Sequence, residues 1–101
     1  EVMHGALGFG DRIAVLVAAE DVERGKPEPD VFLTAAQCLG VPPHRCVVVE
    51  DAWAGIEAAR RAGMARVGVG DGPVSDADVV VRHLTDLPPD AFERVLRGIQ
   101  P

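Results

Sequence analysis

Residues 45–63 read RCVVVEDAWAGIEAARRAG, and this stretch decides the fold. Cys46 to Val49 is an apolar, β-branched run without alternation, so the strand it predicts is buried on both faces, as in a parallel sheet. The run ends in two acids, Glu50 and Asp51. A helical pattern follows from about Trp53 to Ala62, with Ile56, Ala59 and Ala62 at helical spacing and Gly63 as the stop.

The same alternation continues outward in both directions. Upstream, Ile13 to Ala19 (IAVLVAA) predicts a buried strand, followed by the polar, Pro-rich EDVERGKPEPD. From Pro29 the apolar positions Val31, Phe32, Ala35, Ala36 and Leu39 share one helical face. Pro29 suits the first turn and Gly40 the stop. Downstream, Ala65 to Val69 and Asp78 to Val81 predict two more strands, and Pro89 to Leu96 a short amphipathic helix. Strands alternating with helices predict an α/β fold with a parallel sheet.

Composition sets the outer limits. The chain has 101 residues, room for one domain over 1–101, with 48% hydrophobic and 26% charged residues, the balance of a globular chain. Sixteen acidic against ten basic residues give a net charge of −6, which argues against a nucleic-acid surface. The longest uninterrupted apolar run, Ile13 to Ala19, is far short of the roughly 20 residues a membrane helix needs. Two cysteines, Cys38 and Cys46, make no disulfide framework, and no secretory leader is visible. A cytoplasmic location is expected. The chain opens with Glu1 rather than Met, so either Met3 as an internal start or a piece of a longer product is expected.

Ligands of parallel α/β sheets sit at the C-terminal ends of the strands, and two such ends carry charge here. The first is followed by Arg24-Gly25-Lys26-Pro27-Glu28-Pro29-Asp30, in which Lys26 is the only lysine of the chain. It stands between Gly and Pro on a turn, not on a solvated helix face. A surface lysine on a loop is the plainer reading of it. The second is Glu50-Asp51, two adjacent carboxylates that repel each other and call for a counter-ion. A hard divalent cation answers that need, since Mg²⁺ takes one or two carboxylates together with waters and a substrate phosphate. The plainer reading is that Asp51 caps the following helix, which explains Asp51 but not Glu50.

GKPEPDVFLTAAQCLGV followed by RCVVVEDAWAGIEAARRAGM resembles the third and fourth motifs of the haloacid dehalogenase (HAD) superfamily, nearest its phosphatase and β-phosphoglucomutase branch. The resemblance spans residues 9–82. It implies a HAD-type, Rossmann-like parallel sheet with flanking helices. It also implies phosphoryl transfer through an aspartyl-phosphate, which water hydrolyses or a sugar accepts. In that family the lysine matching Lys26 neutralises charge on the nucleophile and the transferring group, and the acidic pair matching Glu50 and Asp51 holds Mg²⁺. A small phosphorylated metabolite is the substrate class implied. The segment ADVVVRHLTDL resembles the end of β-phosphoglucomutase-like proteins, which tilts the expectation towards sugar phosphates.

The pattern departs from the family at its start. The first motif, DxDx before Thr or Val, supplies the nucleophile. The one D-x-D here is Asp76-Ala77-Asp78, downstream of the acidic pair and at the opening of a strand, so it reads as a loop. No Ser or Thr precedes Thr34 to serve as the second motif, and no cap insertion is present. The chain therefore resembles the C-terminal part of such an enzyme, lacking the nucleophile strand and the cap. The family's sheet places two further strands between Ile13–Ala19 and Cys46–Glu50. Their loss is expected to separate residues 13–19 from the sheet and leave backbone groups unpaired. The isolated chain is expected to be poorly stable, to pair its strands non-natively, or to need the missing N-terminal half or a self-association partner. The rival reading is a non-catalytic relic or a subunit that binds a metal or a partner. A receiver domain is excluded by order, because Lys26-Pro27 precedes the acidic pair.

Other residues are read as structural. Trp53 is expected to pack on the sheet, Arg60-Arg61 to face solvent, and His4, His44 and His83 to lie scattered without metal-ligand spacing. Gly68 to Gly72 (GVGDG) lacks the Lys and helix of a phosphate-binding loop and reads as a turn. Cys38 and Cys46 flank a turn and are not read as a disulfide.

Overall fold

A computed structural model describes residues 2–3, 6–7, 13–18, 28–72 and 74–98, with residues 2, 3, 6, 7 and 18 defined by their backbone. Two short strands, β1 (Val2–Met3) and β2 (Ala6–Leu7), precede β3 (Ile13–Ala18). Then come α1 (Asp30–Leu39), β4 (Cys46–Glu50), α2 (Trp53–Arg61), β5 (Ala65–Val69), β6 (Val79–Val81) and α3 (Ala91–Leu96). Each expected strand and helix is present within about three residues of its predicted bounds. The strand expected from Asp78 begins at Val79. Asp78 instead accepts the Arg66 backbone N–H at 2.7 Å and meets the Arg66 guanidinium at 3.1 Å, which ties the start of β6 to the start of β5.

Strands β3, β4, β5 and β6 run parallel, in chain order across the sheet. Ala14 lies opposite Cys46 and Val17 opposite Val49, while Val47 pairs with Ala65 and Val67 with Val79. The separation expected of residues 13–18 is not found. β3 lies directly beside β4, and β1 and β2 pair antiparallel along its other edge, so both edges of β3 are hydrogen-bonded. Main-chain pairing drives this closure, because an apolar strand with open edges is costly. The antiparallel rim has no signal in the sequence, since strands of two residues carry no periodicity to read.

β4 is buried along its whole length, as its unbroken apolar run requires. On one face α1 packs on β3 and α2 on β4 and β5, enclosing Leu16, Phe32, Cys46, Val48 and Met64. The opposite face is covered by α3, which rests on β4 and β5 over Val47, Val49 and Val67. α1 and α2 end where glycines take the left-handed conformation, Gly40 at φ 69° and Gly63 at φ 76°, as the sequence predicts. Trp53 differs from expectation and is 46% exposed. It is the first residue of α2, and the buried positions of that helix are Gly55, Ile56, Ala58 and Ala59. Cys38 is exposed, Cys46 is buried, and both are free thiols. Burial pushes the Cys46 thiol above its ordinary range.

Candidate active site

The parallel register brings the C-terminal ends of β3, β4 and β5 level with one another. A cavity of about 180 Å³ opens there, lined by Val17, Val49, Glu50, Asp51, Val69 and Leu84. Its lining is three strand-end valines, one half-exposed leucine and the two acidic residues. Leu84 comes from the 3₁₀ turn Leu84–Asp86 that follows β6.

The two acids are adjacent in sequence but differ in setting. Glu50 is 2% exposed and is the buried charged residue of the described core, whereas Asp51 is exposed. The Glu50 carboxylate turns back on the chain and accepts the Asp51 backbone N–H at 3.0 Å. A carboxylate at that depth requires compensating partners. The helix-cap reading of Asp51 fails. The N-cap of α2 is Ala52, which makes no side-chain cap hydrogen bond.

Glycines set how closely the surroundings approach. A Cβ on Gly72 would stand 2.6 Å from the carbonyl oxygen of Asp51, so the loop after β5 lies directly on the backbone of the acidic pair. A Cβ on Gly55 would fall within the Glu50 carboxylate. Sequence reasoning reads Gly68 to Gly72 as a turn. The structure puts Gly68 and Val69 in β5 and brings Gly72 onto the site. The rule that ligands gather at strand ends was a usable signal for Val17 and Val69. Nothing in the local sequence marks Gly72 or Leu84 as neighbours of Asp51.

The donor set fits Mg²⁺. Among the described residues no third His, Cys, Asp or Glu joins the pair in a three-ligand cluster. Two oxygen donors suit an ion that keeps several waters and takes substrate phosphate oxygens, and they do not suit structural zinc, which wants four nitrogen or sulfur ligands. Lys26 lies outside the described residues. The nearest described side chain is Glu28, which Arg61 of α2 holds at 3.3 Å, so the segment leading into α1 is tied to the helix that follows the acidic pair. Arg60 and Arg61 face solvent as expected, and both bind Glu57, at 2.6 and 2.8 Å. These hydrogen bonds hold the Glu57 carboxyl down at about 2. His83 is exposed and caps the 3₁₀ turn reciprocally with Asp86, a structural role.

A parallel α/β sheet with flanking helices and two carboxylates at the end of its fully buried strand is a Rossmann-like core. Residues 1–63, more than half of the chain, match the haloacid dehalogenase-like hydrolase family, and the chain belongs to it. It is 50% identical over 82 residues to β-phosphoglucomutase of Bacillus subtilis (strain 168), an alignment covering 80% of this chain and 36% of that protein. It is 49% identical over 69 residues to fructose-1-phosphate phosphatase of Escherichia coli (strain K12), covering 68% of this chain and 37% of that one. In structure it is similar to β-phosphoglucomutase from Clostridium difficile, with a TM-score of 0.67 and 36% identity over 73% of this chain and 34% of that chain. The chain therefore spans little more than a third of the length of these relatives. Among the described residues no helix is long and apolar enough to cross a membrane.

Proposed function

We propose that this chain is the C-terminal part of a Mg²⁺-dependent, cytoplasmic phosphohydrolase or phosphomutase that acts on a small phosphate ester, with sugar phosphates the favoured class. The observation that carries the reading is the pair Glu50–Asp51 at the end of β4, facing a cavity with otherwise apolar walls and unexplained by helix capping. The names of the relatives, a β-phosphoglucomutase and a fructose-1-phosphate phosphatase, support the sugar-phosphate class.

In this reading Glu50 and Asp51 hold the cation. Bound there, Mg²⁺ would supply charge neutralisation for the non-bridging phosphoryl oxygens. The chain's own residues do the rest by placement. Asp51 is the more open of the two carboxylates at the cavity. Glu50, the buried one, also fixes the strand end through its bond to the Asp51 N–H. Val17, Val49 and Val69 exclude water from one side of the reacting centre, where electrostatic stabilisation is then stronger. Lys26 neutralises the nucleophile and the transferring group. The aspartate that attacks phosphorus is supplied from outside this sequence, because no D-x-D precedes Lys26.

One observation favours a second reading, a metal- or partner-binding protein without turnover. β3 and β4 are hydrogen-bonded to each other, in the place where the family resemblance puts the nucleophile strand. In the enzyme reading, the missing half or a second chain must open that ladder.

The test uses Trp53, the single tryptophan of the chain, two residues beyond Asp51. Mn²⁺ should quench its fluorescence saturably in the parent and not in Asp51→Asn. The protein isolated from its natural source, assayed for phosphate release from hexose phosphates with Mg²⁺, then separates the two readings. Release establishes the enzyme; cation binding without release establishes the binding protein. An equal Mn²⁺ response in parent and Asp51→Asn would end the cation site in both readings.

A further inference from the structure

Gly55 is the third residue of α2, inside the first helical turn, where glycine is a poor helix former. It is also a buried residue of that helix. Its backbone does not explain the choice. The described glycines that adopt the left-handed region are Gly40, Gly63, Gly70 and Gly98, and Gly55 is not among them. Any residue could take its conformation, so the reason for glycine is space. The three atoms nearest to a Cβ built there all belong to one side chain: Oε2, Cδ and Cγ of Glu50, each well inside contact distance.

We propose that Gly55 is the positioning residue for the Glu50 carboxylate, its missing Cβ leaving the pocket into which that buried group folds. Glu50 has little freedom to settle elsewhere, being 2% exposed. It reaches back from the end of β4 across the start of α2 and accepts the Asp51 N–H. This places its charge against the helix end where backbone N–H groups are directed, which is favourable for an anion. A side chain at position 55 would expel the carboxylate and disturb the Asp51 backbone through their shared hydrogen bond. Gly55 touches no substrate in this account and acts through Glu50. The inference rests on the reading of the acidic pair as a cation site only for its consequence in metal affinity; the steric part stands without it.

Thermal unfolding of four proteins tests the steric part: parent, Gly55→Ala, Glu50→Ala and the double variant. Gly55→Ala should lower the Tm by about 5 °C or more in the parent, yet raise it by about 2–5 °C in the Glu50→Ala background, where alanine's helix preference is all that remains. That reversal of sign is the expected result. The same loss in both backgrounds, or no loss in either, overturns the proposal. If Gly55→Ala does not fold, the double variant decides: folding supports the proposal and failure to fold overturns it. Mn²⁺ quenching of Trp53 adds a readout that a merely structural role would not move. Gly55→Ala should bind Mn²⁺ about tenfold more weakly, as loss of a group that orients a ligand does. Gly55→Ala/Glu50→Asp, one methylene shorter, should recover part of the loss. Unchanged affinity in Gly55→Ala overturns the positioning role. If the parent itself gives no Mn²⁺ response, the cation reading fails, and the sign reversal still decides whether Gly55 places Glu50.

Discussion

On one side of the sheet, Leu16, Phe32, Cys46, Val48 and Met64 are closed off from solvent beneath two helices. On the other, α3, a helix of six residues, buries Val47, Val49 and Val67 but leaves Val15, Val17, Val69 and Val81 only partly covered. The cavity that holds the acidic pair takes Val17, Val49 and Val69 from this second side. One face anchors β4 so that its terminal residues are held firmly. The other is thin enough that the strand ends stay open to a ligand. The comparison teaches a division of labour: stability is concentrated where the site is not.

The largest test of that division is Phe32→Ala. Phe32 is fully buried between α1 and the sheet, and removing its ring should cost about 3–5 kcal/mol in denaturant unfolding. A loss below about 1 kcal/mol would break the comparison, because the covered face would then not be where the stability lies. Next in size is Gly72→Ala. With a Cβ 2.6 Å from the Asp51 carbonyl oxygen, the loop after β5 must move, at about 1–3 kcal/mol. The tight contact here is with backbone, which cannot swing aside as a side chain can, so an unchanged stability would show that the loop does not rest on Asp51. Val17→Ala is smaller again. Its side chain is half-buried at the rim of the cavity, and its truncation should cost about 1 kcal/mol or less. A loss equal to that of Phe32→Ala would erase the difference between the faces.

Sequence and structure agree where one physical rule dominates. Cys46 to Val49 could only be a doubly buried strand, and Gly40 and Gly63 stop their helices as glycines in the left-handed conformation do. Adjacent acids at the strand end single out Glu50 and Asp51 in the sequence, and the structure sets both at one cavity with Ala52, not Asp51, at the helix N-cap. Other features were not legible because they depend on contacts between distant segments. Gly72 and Asp51 are far apart in sequence and meet only after β5 is laid beside β4. The direct β3–β4 ladder contradicts the strand order implied by the resemblance, since pairing between strands cannot be read from either one alone. Trp53 misled for a related reason: an aromatic near a helix start suggests packing, yet the buried positions of α2 begin at Gly55.

The smallest expected effect comes from the outside of the covered face. Glu57 on α2 accepts hydrogen bonds from Arg60 and Arg61, and they lower its carboxyl from an ordinary 4.5 to about 2. A carboxyl whose value falls on folding stabilises the folded state in its charged form. That contribution is complete above about pH 4.5 and fades as the pH falls towards 2, where the folded protein also binds the proton. Glu57→Gln should therefore melt slightly below the parent at neutral pH, and the gap should close as the pH is taken down through that window. Salt should narrow it as well, since the pair is at the surface and screened. If the gap at neutral pH instead rivalled that of Phe32→Ala, the strength of this face would reside in the charges on its outer helix and not in the core beneath it. A gap that stayed constant with pH would show that Glu57 acts through packing or helix preference, leaving its two arginine bonds without consequence for folding.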